Sequence, residues 1–238
     1  MVNTKILVVA HRGASAYEPE NTLRAFRRAS ELGAQMSELD LHLSKDGYPI
    51  VMHNATVEKT TNGTGAIKDM TLAELKKLDA GKGERIPTLQ EVIDLVRGKG
   101  GLYIELKGEG TSKVVVETLR ANHFTSRQQV IVGSFQPHLV RETKELAPEI
   151  ATSLLVGPVF PAEQLIEATR LAKGDYVHLC WENRAPQPHK LLTPELLGAL
   201  RAAGLGIVLW HEERPDELRV LRTLDVDAIC TNTPDRLM

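Results

Sequence analysis

Lys5-Ile6-Leu7-Val8-Val9-Ala10-His11-Arg12-Gly13 is the stretch that separates two ways of building an α/β fold. The apolar run Ile6 to Ala10 reads as a buried strand. A doubly wound nucleotide-binding sheet would follow such a first strand with a glycine-rich phosphate turn. Here the strand runs straight into His-Arg-Gly, with no GxGxxG. Further apolar runs recur at Met36–Leu43, Ile50–His53, Leu102–Leu106, Val130–Ser134, Thr152–Val156, Tyr176–Leu179, Ile207–Trp210 and Ala228–Thr231. Most are separated by helical patterns, which implies a parallel sheet covered by helices. Eight or nine strands in 238 residues fit a closed TIM (β/α)8 barrel better than an open sheet.

Helix signals agree with that alternation. Asn21 is placed to cap a helix carrying Leu23, Phe26, Ala29 and Leu32 and ending at Gly33. Thr88 with Glu91 predicts a capping box ahead of the stripe Leu89, Val92, Ile93 and Val96. Thr193-Pro194 and Pro215 mark two later helix starts. Residues 54–87 break the rhythm with Thr60-Thr61-Asn62-Gly63-Thr64-Gly65 and a short helix from Thr71 to Leu78. They predict a small insertion on the C-terminal face of one barrel spanning 1–238.

Composition narrows the function. The chain is 42% hydrophobic and 25% charged, ordinary for a globular protein. Its 29 basic and 31 acidic residues give a formal charge of −2 with no long basic block, which argues against a nucleic-acid partner. No apolar run approaches the length of a membrane span, so no stable membrane anchoring is expected and the expected compartment is the cytoplasm. Cys180 and Cys230 sit in apolar surroundings and read as reduced core residues.

The polar residues inside the apolar runs carry the chemistry. His11 and Arg12 end the first strand, and His53 closes Pro49-Ile50-Val51-Met52. In a (β/α)8 barrel the strand ends are where active sites gather. Glu38 and Asp40 are two apart and share a strand face, with Leu39, Leu41 and Leu43 on the other. Glu105 and Lys107 repeat that spacing. Clustered carboxylates repel, so they favour a cation, and oxygen donors suit Mg²⁺, Ca²⁺ or Mn²⁺. Each group alone has an ordinary structural reading: a solvated strand face, a hydrogen-bonded histidine or an ion pair. Their convergence on one predicted rim is what points to a site. His42 reads as a rim residue and His178 as buried and hydrogen-bonded; His123, His138, His189 and His211 read as surface residues. Trp181 and Trp210 read either as packing or as a wall against the organic part of a substrate.

At these residues the sequence closely resembles the glycerophosphodiester phosphodiesterase family. The resemblance rests on His11-Arg12-Gly13, Pro19-Glu20-Asn21-Thr22, Glu38-Leu39-Asp40, Lys45-Asp46-Gly47 and Val51-Met52-His53. It continues through Ile86-Pro87-Thr88-Leu89, Ile104-Glu105-Leu106-Lys107 and Thr231 to Asp235, and so covers nearly the whole chain. It implies a TIM barrel that hydrolyses glycerophosphodiesters, small-molecule substrates, to glycerol 3-phosphate and an alcohol with one divalent metal ion. It also implies acid and base roles for His11 and His53, and metal ligation by Glu38, Asp40 and Glu105. Arg12 and Lys107 would bind the phosphate, and Glu20 would support the dyad. Two departures stand out. Asn54 follows His53 where the family commonly has Asp. His211-Glu212-Glu213 replaces a more neutral loop and predicts an acidic rim favouring cationic head groups.

Two other functions share this inventory. A lysophospholipase D-like lipid hydrolase would want an apolar or basic rim. A non-catalytic phosphodiester-binding barrel would have no need for the full set of acids and imidazoles.

Overall fold

The computed structural model of the chain describes residues 6–157, 161–180 and 185–238. Lys5 and Trp181, both singled out above, lie outside the described residues. Among the described residues the apolar runs become nine strands: β1 (Leu7–Ala10), β2 (Met36–Leu43), β3 (Pro49–Val51), β4 (Gly101–Leu106), β5 (Val130–Ser134), β6 (Ala151–Val156), β7 (Tyr176–Cys180), β8 (Gly206–Trp210) and β9 (Ala228–Thr231). Eight of them are parallel neighbours, from β1 through β9, β8, β7, β6, β5 and β4 to β2. The β1–β2 pairing, with Ala10 opposite Ser37, closes the ring. This is the (β/α)8 barrel.

The strand β3 departs from the sequence reading. It pairs antiparallel with β2 on the outside of the ring, with Val51 opposite Leu41, and it stops two residues short of His53. His53 therefore does not end a barrel strand. A reversal after β2 brings it back to the level of Asp40, whose carbonyl accepts the Met52 N–H at 3.0 Å.

The period-2 pattern of the strands sorts their residues into two layers. Val9, Met36, Tyr103, Ile131, Ala151, Leu155, Cys180, Val208, Ala228 and Cys230 form the apolar cluster inside the barrel. The alternate residues, among them Leu39, Leu41, Ile104 and Leu106, pack outward. They meet α1 (Leu23–Glu31), α3 (Leu89–Val96) and α4 (Thr111–Ala121). The outer shell continues with α5 (Pro137–Leu146), α6 (Ala162–Leu171), α7 (Pro194–Ala202) and α8 (Pro215–Leu221). Truncating a fully buried leucine of this layer costs about 2–5 kcal/mol. Glu38, Asp40, Glu105 and Lys107 share the inward parity, so the pleat that buries the leucines also turns the charges into the barrel.

The start of α3 has the full Thr88–Glu91 capping box, and Thr193 caps α7 with Pro194 as first residue. The start of α1 differs from expectation. Thr22, not Asn21, is the N-cap, its Oγ1 accepting from the Ala25 N–H at 3.2 Å. Asn21 is engaged at the site. Residues 54–87 hold a 3-10 turn at Ile67–Asp69 and the short helix α2 (Leu72–Leu75). Val57, Ile67, Leu75, Ala80 and Ile86 close over Ile50 and Met52 in a small cluster separate from the barrel interior. Lys45 N–H to Met70 O and Leu72 N–H to Asp46 Oδ1 tie the segment to the carboxyl end of β2.

Deep in the barrel, His178 Nδ1 lies 2.8 Å from the Tyr103 hydroxyl, and burial holds its pKa down at about 3. Unfolded, the same imidazole takes a proton near 6.5. Between those values the unfolded chain binds the extra proton, so this group's contribution to stability falls as pH falls from about 6.5 towards 3 and is flat above. The slope approaches about 1.4 kcal/mol per pH unit. His178→Gln is expected to lose less stability than the parent between pH 6.5 and 4.5, measured by denaturant unfolding. Parallel pH curves for the two proteins would contradict this.

Candidate active site

The carboxyl ends of β1, β2 and β4 deliver the charged residues. Glu38 and Asp40 come from β2, and Asp40 stands opposite Glu105 in the register of β2 with β4. All three carboxylates are buried, and each offers an oxygen such that the three oxygens lie within 4.8 Å of one another. Lys107, one residue past β4, places Nζ 2.6 Å from Glu105 Oε1 and 3.0 Å from Asp40 Oδ1. Arg12 adopts the left-handed conformation (φ 54°) just after β1. Its N–H donates to Glu38 Oε2 at 2.8 Å, Nη1 donates to Glu20 Oε1 at 3.0 Å, and Nε stands 3.4 Å from Asp40 Oδ2. Gly13 follows at φ 79°, and a Cβ there would sit 2.6 Å from the Ala25 carbonyl carbon, so the turn requires glycine.

Electrostatics divides the three acids. Burial pushes Glu38 well above the usual carboxylate range, and the neighbouring Asp40 and Glu105 add to it. Burial and Asp40 raise Glu105 to about 7 against the opposing pull of Lys107. Burial acts on Asp40 in the same direction, but Lys107, Arg12, His53 and Asn21 together bring it down to about 2. Asp40 is thus the anchor for both cations. Its Oδ1 is buried without a well-aligned hydrogen bond even though Lys107 is near. A compact, buried set of hard oxygen donors with mutual repulsion fits a divalent cation.

The imidazoles sit above the acids. His11 is 5% exposed, its Nδ1 donating to Asn232 Oδ1 at 2.7 Å and its Nε2 lying 4.0 Å from Glu38 Oε2. Burial lowers its pKa well below the ordinary imidazole value, and Arg12 and His211 add to that. His53 Nδ1 donates to Asn54 Oδ1 at 2.7 Å. Burial lowers its pKa too, against the opposing effects of Asp40 and Asn54. Asn54 therefore keeps the orienting hydrogen bond, without the charge an aspartate would bring. His42 Nε2 lies 3.1 Å from the His53 carbonyl and so braces the same segment. His11, Arg12, Glu20, His53 and Trp210 line one cavity of about 590 Å³. Trp210 stands edge-on to His11, with ring centres 5.3 Å apart.

The loop after β8 departs from the sequence reading at three residues. His211 is not a surface residue: its ring stacks on His11 with centroids 5.0 Å apart and 20° between planes. Glu212 is buried and clasped by Arg214, with contacts of 2.9 and 2.6 Å. Glu213 turns inward to Thr231, Asn232 and Thr233. The acidic rim expected from His211-Glu212-Glu213 is therefore largely consumed by internal partners. His123 and His138 are exposed as expected, whereas His189 is half-buried against Glu217.

Asn21 and Asn232 had no site role in the sequence reading. Asn21, at φ 57°, donates from Nδ2 to Asp40 Oδ2 at 2.9 Å. Asn232 holds His11. Both fall inside quoted motifs, Pro19 to Thr22 and Thr231 to Asp235, which was the available signal.

The sequence profile of the Glycerophosphoryl diester phosphodiesterase family matches residues 11–236. A glycerophosphodiester phosphodiesterase of Caldanaerobacter subterraneus subsp. tengcongensis is 37% identical over 249 residues, covering 98% of this chain and 97% of that protein. A Bacillus subtilis glycerophosphodiester phosphodiesterase is 32% identical, covering 97% of this chain and 85% of that protein. Among solved structures, an Oleispira antarctica phosphodiesterase in complex with the product sn-glycerol-3-phosphate superposes with a TM-score of 0.86 at 30% identity, covering 97% of this chain and 94% of that one. A glycerophosphodiester phosphodiesterase from Agrobacterium tumefaciens gives 0.84 at 30% identity, with 98% of both chains covered.

Proposed function

Because this chain belongs to the glycerophosphoryl diester phosphodiesterase family, we propose that its cavity hydrolyses glycerophosphodiesters to glycerol 3-phosphate and an alcohol. The observation that carries this reading is one cavity in which His11, His53 and Arg12 meet over the Glu38, Asp40 and Glu105 cluster. A phosphodiester is an anion that repels nucleophiles. Arg12 and Lys107 supply positive charge for it, and their acidic partners hold that charge in place before substrate arrives. One imidazole takes a proton from the attacking oxygen, and the other returns one to the departing alcohol. Both rings have Nδ1 committed to an amide oxygen, which leaves Nε2 for this exchange. Trp210 offers an apolar wall to the organic part of the substrate.

Glu38, Asp40 and Glu105 are the residues that would hold one divalent ion, Mg²⁺ or Ca²⁺ with Mn²⁺ as a third choice. Bound there, the ion would polarise the phosphoryl oxygen and offset its charge. Glu20 keeps Arg12 aimed. We take residues 54–87 as an insertion within a single barrel, whose Ile86 packs with Met52, the residue before His53.

Among the described residues no helix is long and apolar enough to cross a membrane. We propose water-soluble deacylated diesters as the preferred substrates and the cytoplasm as the compartment. With glycerophosphocholine, glycerophosphoethanolamine and a lysophospholipid assayed in parallel, the two deacylated diesters should release glycerol 3-phosphate at similar rates, because the rim charges are internally paired. Faster turnover of the lysophospholipid would support the lipid-hydrolase reading. Binding without turnover of any of the three would support the non-catalytic one.

A further inference from the structure

Glu213 lies in the loop after β8, outside the groups given a chemical role above, yet it gathers four polar contacts around one side of His11. Its Oε1 accepts from the Asn232 N–H at 2.6 Å and stands 3.3 Å from His211 Nδ1. Its Oε2 accepts from the Thr233 hydroxyl at 2.6 Å and the Thr231 hydroxyl at 3.1 Å. A carboxylate accepts only, so the Asn232 N–H and the two threonine hydroxyls donate to it, whereas His211 Nδ1 lies at ion-pair distance without hydrogen-bond alignment. The contacts join two segments that meet His11 from different directions. One is the turn after β9, where Asn232 Oδ1 accepts from His11 Nδ1 at 2.7 Å and from the Ser15 hydroxyl at 2.7 Å. The other is the loop after β8, where His211 stacks on the His11 ring. The first contact fixes which ring nitrogen carries the proton; the second fixes the plane of the ring.

We propose that Glu213 is a positioning residue for His11, acting through Asn232 on its Nδ1 and through His211 on its face, so that Nε2 is held unprotonated and aimed into the cavity. The inference rests on the proposed function, with His11 as the imidazole that takes the proton from the attacking oxygen. Glu213 sits beyond Asn232 and His211 and needs no contact with substrate. By accepting from the Asn232 backbone N–H, Glu213 anchors the turn that carries the Asn232 side chain, whose Oδ1 faces the imidazole. Without Glu213 the Asn232 backbone N–H and the Thr231 and Thr233 hydroxyls lose their acceptor, and the turn is free to carry the Asn232 side chain away from His11. His11 then samples both neutral tautomers, one of which puts a hydrogen on Nε2 and removes the acceptor.

Removal of a group that orients a catalytic ligand typically costs about 10–100-fold. Glu213→Ala and Asn232→Ala should therefore each lower kcat on glycerophosphocholine by about 10–100-fold with KM within about threefold. Glu213→Gln, which keeps an acceptor for the Asn232 N–H, should recover most of the loss. In ¹⁵N-imidazole NMR of the whole protein, the His11 signal should show the Nδ1–H tautomer in the parent and in Glu213→Gln, and a mixture in Glu213→Ala. His11→Ala serves as the separate control on the premise. If His11→Ala is inactive while Glu213→Ala and Asn232→Ala keep the parent kcat and tautomer, the positioning role is overturned and the premise stands. If His11→Ala itself keeps its activity, the premise falls. Should Glu213→Ala not fold, Asn232→Ala carries the same kcat and tautomer test.

Discussion

Glu38→Gln is expected to remove nearly all turnover while leaving the metal-free protein as stable as the parent, or more stable. Glu38 is buried and crowded by Asp40 and Glu105, and burial pushes its pKa well up. A neutral amide of the same shape relieves that repulsion and can still accept the Arg12 N–H, which donates to Glu38 Oε2 at 2.8 Å in the parent. Each kcal/mol gained would raise Tm by about 2–4 °C in a chain of this size. The same substitution removes one of the three proposed ligands. Metal-ion stabilisation of a transition state is worth several kcal/mol, so its loss costs about 10³-fold or more in rate. Asp40→Ala should lose activity equally but destabilise, because Arg12 and Lys107 would be left as buried cations without their shared partner. Melting curves and rates measured on both variants separate the effects. A parent-like rate in Glu38→Gln would remove Glu38 from the metal site.

The second large effect belongs to the imidazoles. His11→Ala and His53→Ala should each lower kcat by about 10²–10⁴-fold, the usual range for a general acid or base. The double variant should fall short of the product of the two, since residues that act as a unit are not additive. KM should change little if Arg12 and Lys107, as proposed, bind the phosphate independently of either ring. A loss below about tenfold for either histidine would place it outside proton transfer.

The sequence made the barrel and the acid cluster legible for one reason: both follow from the strand period of 2. Glu38 and Asp40 had to share a face, and the outward leucines Leu39 and Leu41 showed which face was inward. The missing GxGxxG after β1 removed the competing sheet. Closure of the ring between β1 and β2 is a long-range pairing, and only alternation hinted at it. The reversal at β3 was not legible, because a short apolar run does not reveal whether it runs with or against its neighbour. Asn21 was misassigned because Asn and Thr both cap helices, and Thr22 took the cap while Asn21 went to Asp40. His211, Glu212 and Glu213 were misread for a related reason. Charge in a loop suggests exposure, and the partners that bury it, Arg214 for Glu212 and the β9 end for Glu213, are fixed by folding. Asn232 lies 221 positions from His11, beyond the reach of any local pattern.

Release of glycerol 3-phosphate from glycerophosphocholine, followed before and after exhaustive chelation and again after addition of Mg²⁺ or Ca²⁺, tests the central claim most directly. The buried triad of Glu38, Asp40 and Glu105 predicts that chelation abolishes release and that one of the two ions restores it. The restored ion should also raise the Tm of the parent protein and not that of Glu38→Gln, since a ligand stabilises only the state that binds it. Undiminished release after chelation would contradict the account.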